Sequence, residues 1–309
     1  MRRLGLILIL LTLAFVLLST IIYGQLEIRN NGPKSLVSEI KPDIKSDTKK
    51  KPLTDRKHSS IGKKRFVWPH GEKAAVSITY DDGLRVHFEE VAPMLKKYGL
   101  RGTFYPPGLI SLMKYPHEWA KVAEMGHELG NHSLFHPCRK PHYVNPAYDL
   151  AAYNKTRWSD EMEVANYILK TIDGKDERTF AIPCAQIYIG PSENKVSVEP
   201  IIAQMFVAAR SYANREIIVP DNLNFVSLSS FAAGLDLKTF DHILSIIRKA
   251  QQVSGWVIIT FHGVGKDESQ LYIDKDEHQK LISFLSQNKN EIWTAPIIEA
   301  CRHLKSNGY

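Results

Sequence analysis

From Phe66 onward, short apolar runs alternate with stretches of helical period. Residues 74–80, A-A-V-S-I-T-Y, make a nearly unbroken apolar run of strand length, the pattern of a strand buried on both faces. The spacing then predicts a helix over 86–98 and a strand over 102–105 that ends at Pro106-Pro107. A helix over 117–125 stops at Gly126, and a short strand follows over 128–131. Ser159-Asp160 are expected to cap a helix reaching 172 before Gly174. Beyond it come a strand at 179–182, a helix at 200–205, extended chain at 206–210 and a strand at 224–228. An amphipathic helix over 237–253 leads into the most apolar strand, 256–261, and helices over 277–287 and 297–304 close the chain. Strands alternating with helices in this way imply parallel βαβ units. About seven strands suit a distorted or incomplete (β/α) barrel, and no Gly-rich nucleotide loop follows the first strand.

The segment before Phe66 follows a different pattern. Arg2-Arg3 precede an apolar run over 4–23, which reads either as a secretory signal over 1–24 or as a retained signal anchor. Residues 25–65 are rich in Lys, Ser, Asp and Pro without apolar period, and are expected to be a flexible basic tether. The reading is therefore of an extracytoplasmic protein, secreted or membrane-anchored through residues 4–23, with one folded domain over 66–309. Charge follows the same division. The formal net charge is +7, but 25–65 hold twelve Lys/Arg against five Asp/Glu, and the folded part carries a small acidic surplus. A nucleic-acid footprint would cluster Lys/Arg on the domain itself, so no nucleic-acid partner is expected.

Three places after predicted strands carry chemistry. Thr79-Tyr80-Asp81-Asp82-Gly83 sets two adjacent carboxylates at the end of the first strand, where alternation points them at different partners. His132 and His136 stand four apart, the spacing that lets two imidazoles share one face of a helical turn and one metal ion. Thr260-Phe261-His262-Gly263 delivers a third imidazole at the end of the last strong strand. Taken singly, each has a bland alternative: a surface turn, two unrelated histidines, a capping histidine. Together, Asp82, His132 and His136 offer three metal ligands with coordination positions to spare, beside Asp81 and opposite His262.

These motifs, T-Y-D-D-G, H-S-x-x-H and F-H-G in this order, resemble the polysaccharide deacetylase (NodB-homology) domain of carbohydrate esterase family 4. The resemblance runs from Phe66 to the C-terminus. It implies a divalent metal, most commonly Zn²⁺, on Asp82, His132 and His136, with Asp81 as catalytic base and His262 as catalytic acid. It also implies an acetylated polysaccharide or oligosaccharide as substrate, losing N- or O-acetyl groups. The third family motif, R-P-P-Y-G, falls on Ala181-Ile182-Pro183-Cys184-Ala185 and keeps one proline. Cys184 would then lend its backbone N–H to the oxyanion. The arginine that orients the base is missing, and Arg210, ending another predicted strand, is the expected replacement. The family's D-x-x-D-W-type motif is not recognisable over 221–230.

Two rival readings follow from the same residues. The lost arginine motivates a catalytically degenerate carbohydrate-binding member. Two histidines and a carboxylate also form the facial triad of a non-haem iron oxygenase, although the helical stretches disfavour the β-helix on which such triads usually sit. Three cysteines cannot all pair, and no two lie at C-x-x-C spacing. One disulfide is open to them, without the sequence choosing the pair, and small buried side chains are the expectation. Tyr105, Tyr188 and Trp158 are candidates for stacking on sugar rings, with a core role expected first.

Overall fold

The computed structural model describes residues 66–140, 145–266 and 271–309. The expected leader (1–24) and tether (25–65) lie outside the described residues. No helix among the described residues is long and apolar enough to cross a membrane.

The first strand, β1 (Ala74–Asp81), is buried throughout, as an apolar run of this kind requires. It pairs in parallel with β8 (Trp256–Phe261) over six residues, and at its upper end with β2 (Thr103–Tyr105). Next to β2 stands β3 (Glu128–Leu129). Just beyond β3, a parallel bridge from Asn131 to Phe180 reaches β4 (Thr179–Ala181). The ladder continues through β5 (Ala208–Ser211) to β6 (Leu228–Ser229). Only Ser230 separates β6 from β7 (Phe231–Ala232), which returns to β8. The ring therefore closes with seven parallel staves, β6 and β7 counting as one interrupted stave. A further strand missed in the sequence, β9 (Ile292–Thr294), pairs with the lower end of β1, on the edge whose upper end holds β2. That insertion distorts the barrel.

Period-two alternation sorts the side chains. Ala74, Val76, Ile78 and Tyr80 of β1, with Val257, Ile259 and Phe261 of β8, point outward into the larger apolar cluster. There they meet α1 (Ala92–Lys97), α2 (Pro116–Glu124), α5 (Phe240–Gln252) and α6 (Lys275–Gln287). Ala75, Ser77, Thr79 and Asp81 take the opposite parity and face the barrel interior. Ser77 Oγ donates to the Ala295 carbonyl and accepts from Trp256 Nε1, while Thr79 Oγ1 donates to the Ile259 carbonyl. At the base, α7 (Ile297–Ser306) begins on Thr103 Oγ1 and Glu128 Oε2, which accept the Ile297 and Ile298 N–H groups. The remaining helices are α3 (Lys155–Asp173) and α4 (Glu199–Met205).

Element boundaries differ from the sequence reading where side chains chose another partner. Helix α3 starts a turn early because Asn154, not Ser159 or Asp160, accepts the free N–H of Arg157. The strand expected at 224–228 begins only at Leu228, since Asn224 is spent on a turn through its bond to the Val226 N–H. The helix expected over 86–98 opens with a wide π turn, His87–Val91. Such turns often mark functional sites.

Three buried histidines are neutral. His127 accepts the Gly102 N–H at Nδ1 and donates from Nε2 to the Ala92 carbonyl. His87 donates from Nε2 to the His262 carbonyl, and His278 Nε2 is paired with the Tyr80 hydroxyl. Burial pushes His87 and His127 down to about 4 and His278 to about 3. Their pKa values are lowered on folding, so the unfolded chain takes up protons first as pH falls below about 6.5. We expect full stability above that value and a progressive loss between pH 6.5 and 4, with a slope of up to about 1.4 kcal/mol per pH unit for each histidine. Urea unfolding at pH 7, 6 and 5 checks this, and equal stability at all three would contradict it.

Candidate active site

Asp81 closes β1 with inward parity and is 2% exposed. Both of its carboxylate oxygens accept from Arg210 Nη2, at 2.5 and 2.6 Å. Arg210, 1% exposed, lies on β5 opposite Ala181 of β4 in the strand register. The guanidinium thus enters from the neighbouring stave at the height where the family motif carries its own arginine. Its Nη1 donates to Thr260 Oγ1 at 2.8 Å, and its carbon lies 5.2 Å over the Tyr105 ring. Thr260 is the residue two before His262. The sequence had shown it only as the first letter of T-F-H-G.

Asp82 follows with φ 69°, a left-handed conformation that swings its carboxylate away from Asp81 and out of the barrel interior. Gly83 continues the turn at φ 60°, and a Cβ there would stand 2.4 Å from Ser111 Oγ, so the glycine is a requirement. Asp82 Oδ1 lies 3.5 Å from His132 Nε2 and 3.4 Å from His136 Nε2, and Oδ2 lies 4.0 Å from His262 Nε2. The backbone turn, more than strand alternation, gives the two carboxylates different partners.

His132 and His136 do not share a helical turn. The chain here is irregular, with Ser133 at φ 64° and His136 at φ 53°, and these two left-handed residues bring the rings to 4.7 Å. The loop is fixed by its own polar groups. Asn131 Oδ1 accepts the Ser133 N–H, and Ser133 Oγ accepts the His136 N–H. Asn131 is itself held by donating to the Met162 carbonyl and Asn166 Oδ1. His132 donates from Nδ1 to the Ala181 carbonyl at 2.8 Å, which sets its tautomer and leaves Nε2 facing Asp82.

The electrostatics favour an ionised Asp82. Burial opposes its charge, but the His132 hydrogen bond and the nearby imidazoles outweigh it and hold the carboxyl well below the usual range. For His132, burial is outweighed by the bond to Asp82 and the charges of Asp81 and Asp82, which raise it. Burial and the neighbouring His132 push His136 down to about 4. The ligand atoms of Asp82, His132 and His136 all lie within 4.8 Å of one another. Two imidazole nitrogens and one carboxylate, one ring already oriented from behind, fit a divalent cation of the zinc type.

His262 follows β8, its carbonyl fixed by His87 and its buried Nδ1 without a partner among the described residues. Cys184 stands after β4 at φ 53° and forms a disulfide with Cys138. The expectation of three small buried cysteines is therefore corrected, with Cys301 alone free and buried. The pairing was hidden because 46 residues separate the partners and only the 131–138 loop brings them together. Tyr212, half-buried and raised by burial and by the charge of Asp81, also borders the site and had no signal in the sequence. Of the proposed sugar-stacking aromatics, Tyr105 and Trp158 belong to the core, while Tyr188 is 46% exposed.

Residues 69–189 match the family model described as polysaccharide deacetylase. A gellan lyase from a Bacillus species is 23% identical over 248 residues, covering 74% of this chain and 9% of that protein. The peptidoglycan-N-acetylglucosamine deacetylase of Bacillus cereus is 25% identical over 138 residues, covering 36% of this chain and 50% of its own length. The chain thus spans half or less of these curated relatives. Among solved structures, peptidoglycan deacetylase PdaC from Bacillus subtilis aligns with a TM-score of 0.48 at 17% identity, covering 75% of this chain and 92% of that one.

Removing one member of a buried ion pair strands the other charge, at a cost of about 3–5 kcal/mol. Arg210→Ala is expected to lose stability on that scale, and the double variant Asp81→Leu/Arg210→Met to regain most of it. Urea unfolding of the three proteins measures both, and an Arg210→Ala loss below about 1 kcal/mol would contradict the pairing.

Proposed function

We propose that this chain, a member of the polysaccharide deacetylase family through residues 69–189, is a metal-dependent hydrolase that removes acetyl groups, N-acetyl first, from a glycan outside the cytoplasm. The observation that carries the reading is the convergence of Asp82, His132 and His136 beside an Asp81 held by Arg210. The family departure at Ala181, which favoured a binding-only protein, is compensated at Arg210. The parallel barrel argues against a facial-triad oxygenase. The names of the relatives direct attention to peptidoglycan N-acetyl groups as the first substrate to try. The Cys138–Cys184 disulfide supports an oxidising compartment, in keeping with a leader over 1–24.

Asp82, His132 and His136 would hold the cation, zinc first. When bound it supplies Lewis acidity, activating water and polarising the acetyl carbonyl. Asp81 accepts the proton of the attacking water, its two oxygens kept in place by Arg210. The Cys184 backbone N–H donates to the oxyanion of the tetrahedral intermediate. His262, on the far side of Asp82, gives a proton to the departing amine. Arg210 orients the base from within the barrel and does not touch substrate.

Asp81→Asn is expected to retain metal and lose at least about 100-fold in turnover, the scale of general-base catalysis. His132→Ala is expected to lose both metal and activity. The assay is acetate release from N-acetylchitooligosaccharide and peptidoglycan, with and without chelator, alongside metal content. Acetate release that survives chelation, or an active His132→Ala protein in chelator, would overturn the proposal.

A further inference from the structure

The Cys138–Cys184 bond joins the two loops that carry the proposed chemistry, and the proposed mechanism makes no use of it. Cys138 lies two residues after His136, and Cys184 is the proposed oxyanion donor. We propose that this disulfide positions the reaction centre, holding the His136 ring and the Cys184 N–H at a fixed separation across the mouth of the site. The inference rests on the deacetylase reading for the role of Cys184, but for His136 only on the metal cluster.

Two observations carry it. His136 presents Nε2 to Asp82 and Nδ1 to Cys138 Sγ, at 3.7 Å. A bridged sulfur has no proton, so the ring donates to it weakly from Nδ1, and Nε2 remains the lone-pair atom facing the cluster. The sulfur thus does for His136 what the Ala181 carbonyl does for His132. Second, His136, Cys184 and Ala185 all adopt left-handed conformations that side chains disfavour, and such residues persist only where the surroundings impose them. The surroundings here are a seam between the two loops. Besides the bond itself, Arg139 N–H donates to Gln186 Oε1 at 2.6 Å, and the Arg139 side chain donates to the carbonyls of Tyr188 and Gly190. With the bond opened, the His136 ring can turn about its own side chain, and the 183–185 turn keeps, among the described residues, its short internal bonds to Ile182 and Pro183 and the Arg139 contacts that follow it at 186–190.

The experiment compares the zinc-loaded full chain before and after treatment with a phosphine, and after reoxidation. The phosphine takes an oxygen from water to become its oxide, and the bridge takes up the two electrons and the two protons that water leaves. A Cys138→Ser/Cys184→Ser variant runs in parallel. Expected are a fall in kcat of at least about tenfold with KM within about threefold, and about tenfold faster loss of zinc to a competing chelator. All are read at a temperature where near-UV circular dichroism shows native packing, and reoxidation should restore the wild type. A bond that served only stability would lower Tm and leave kcat, KM and zinc retention unchanged, which would overturn the inference. So would free thiols at Cys138 and Cys184 in air-purified protein, beyond the one at Cys301, or loss of native packing in both the reduced chain and the variant. If the intact protein releases no acetate at all, the deacetylase reading fails while the zinc-retention comparison still decides the role of the bond.

Discussion

A carboxylate with its inward parity on a fully buried strand cannot stay ionised unless another element brings it a charge, and the architecture around the site follows from that constraint. Asp81 is set at the top of the barrel interior by the alternation of β1, and Arg210 reaches it from across the ring, three staves away by way of β8. The guanidinium is fixed in turn by Thr260 of β8, whose hydroxyl donates to Ser230 Oγ, and Ser230 donates to the Ser211 carbonyl. The pair therefore ties β1, β5, the β6–β7 break and β8 into one polar layer. A buried ion pair is weak support for stability, since an apolar pair of similar volume often does as well. Its value here is geometric: the Asp81 carboxylate is held in one orientation, and the barrel is closed around it.

Above that layer the site is made of strained backbone. Six non-glycine residues among those described have positive φ, and five of them, Asp82, Ser133, His136, Cys184 and Ala185, stand at the site. Each substitutes a local turn for regular structure, so that groups on three separate loops can point at one spot. Two of them are enforced by short-range polar groups, Asn131 on Ser133 and Ser133 on His136, while Ser111 holds the Gly83 carbonyl from 28 residues away. Long-range order is supplied by the rigid staves beneath, the disulfide and Arg139. This division of labour, rigid barrel below and imposed turns above, lets irregular loops hold Asp82, His132 and His136 within a few ångströms of one another.

Much of this was legible in the residues because it depends on short-range pattern. The apolar run of 74–80 and the one at 256–261 gave the two central staves, and the motif-bearing residues fell at the ends of strands. The contact of Arg210 with Asp81 was anticipated from a missing arginine and a basic residue ending another predicted strand. What escaped depends on contacts between distant segments or on backbone handedness. Strand β9 is three residues with no apolar run of its own, and exists only because it pairs with the base of β1. The histidine spacing suited a helical turn, yet neighbouring polar side chains offered the backbone better bonds in an irregular loop. Cysteine pairing over 46 residues has no local signature.

The arginine shift shows what a linear motif encodes. At Ala181 the family pattern is broken in sequence, yet the strand register sets Arg210 directly beside that position on the next stave. Arg210 places a guanidinium at that height inside the barrel, within reach of Asp81 and with the Thr260 hydroxyl fixing its other arm. Adjacent parallel staves present equivalent heights, so a charge can move sideways by one strand and still meet the same partner. The Ala181 carbonyl meanwhile orients His132. A broken motif in a barrel is therefore to be judged around the ring as well as along the chain.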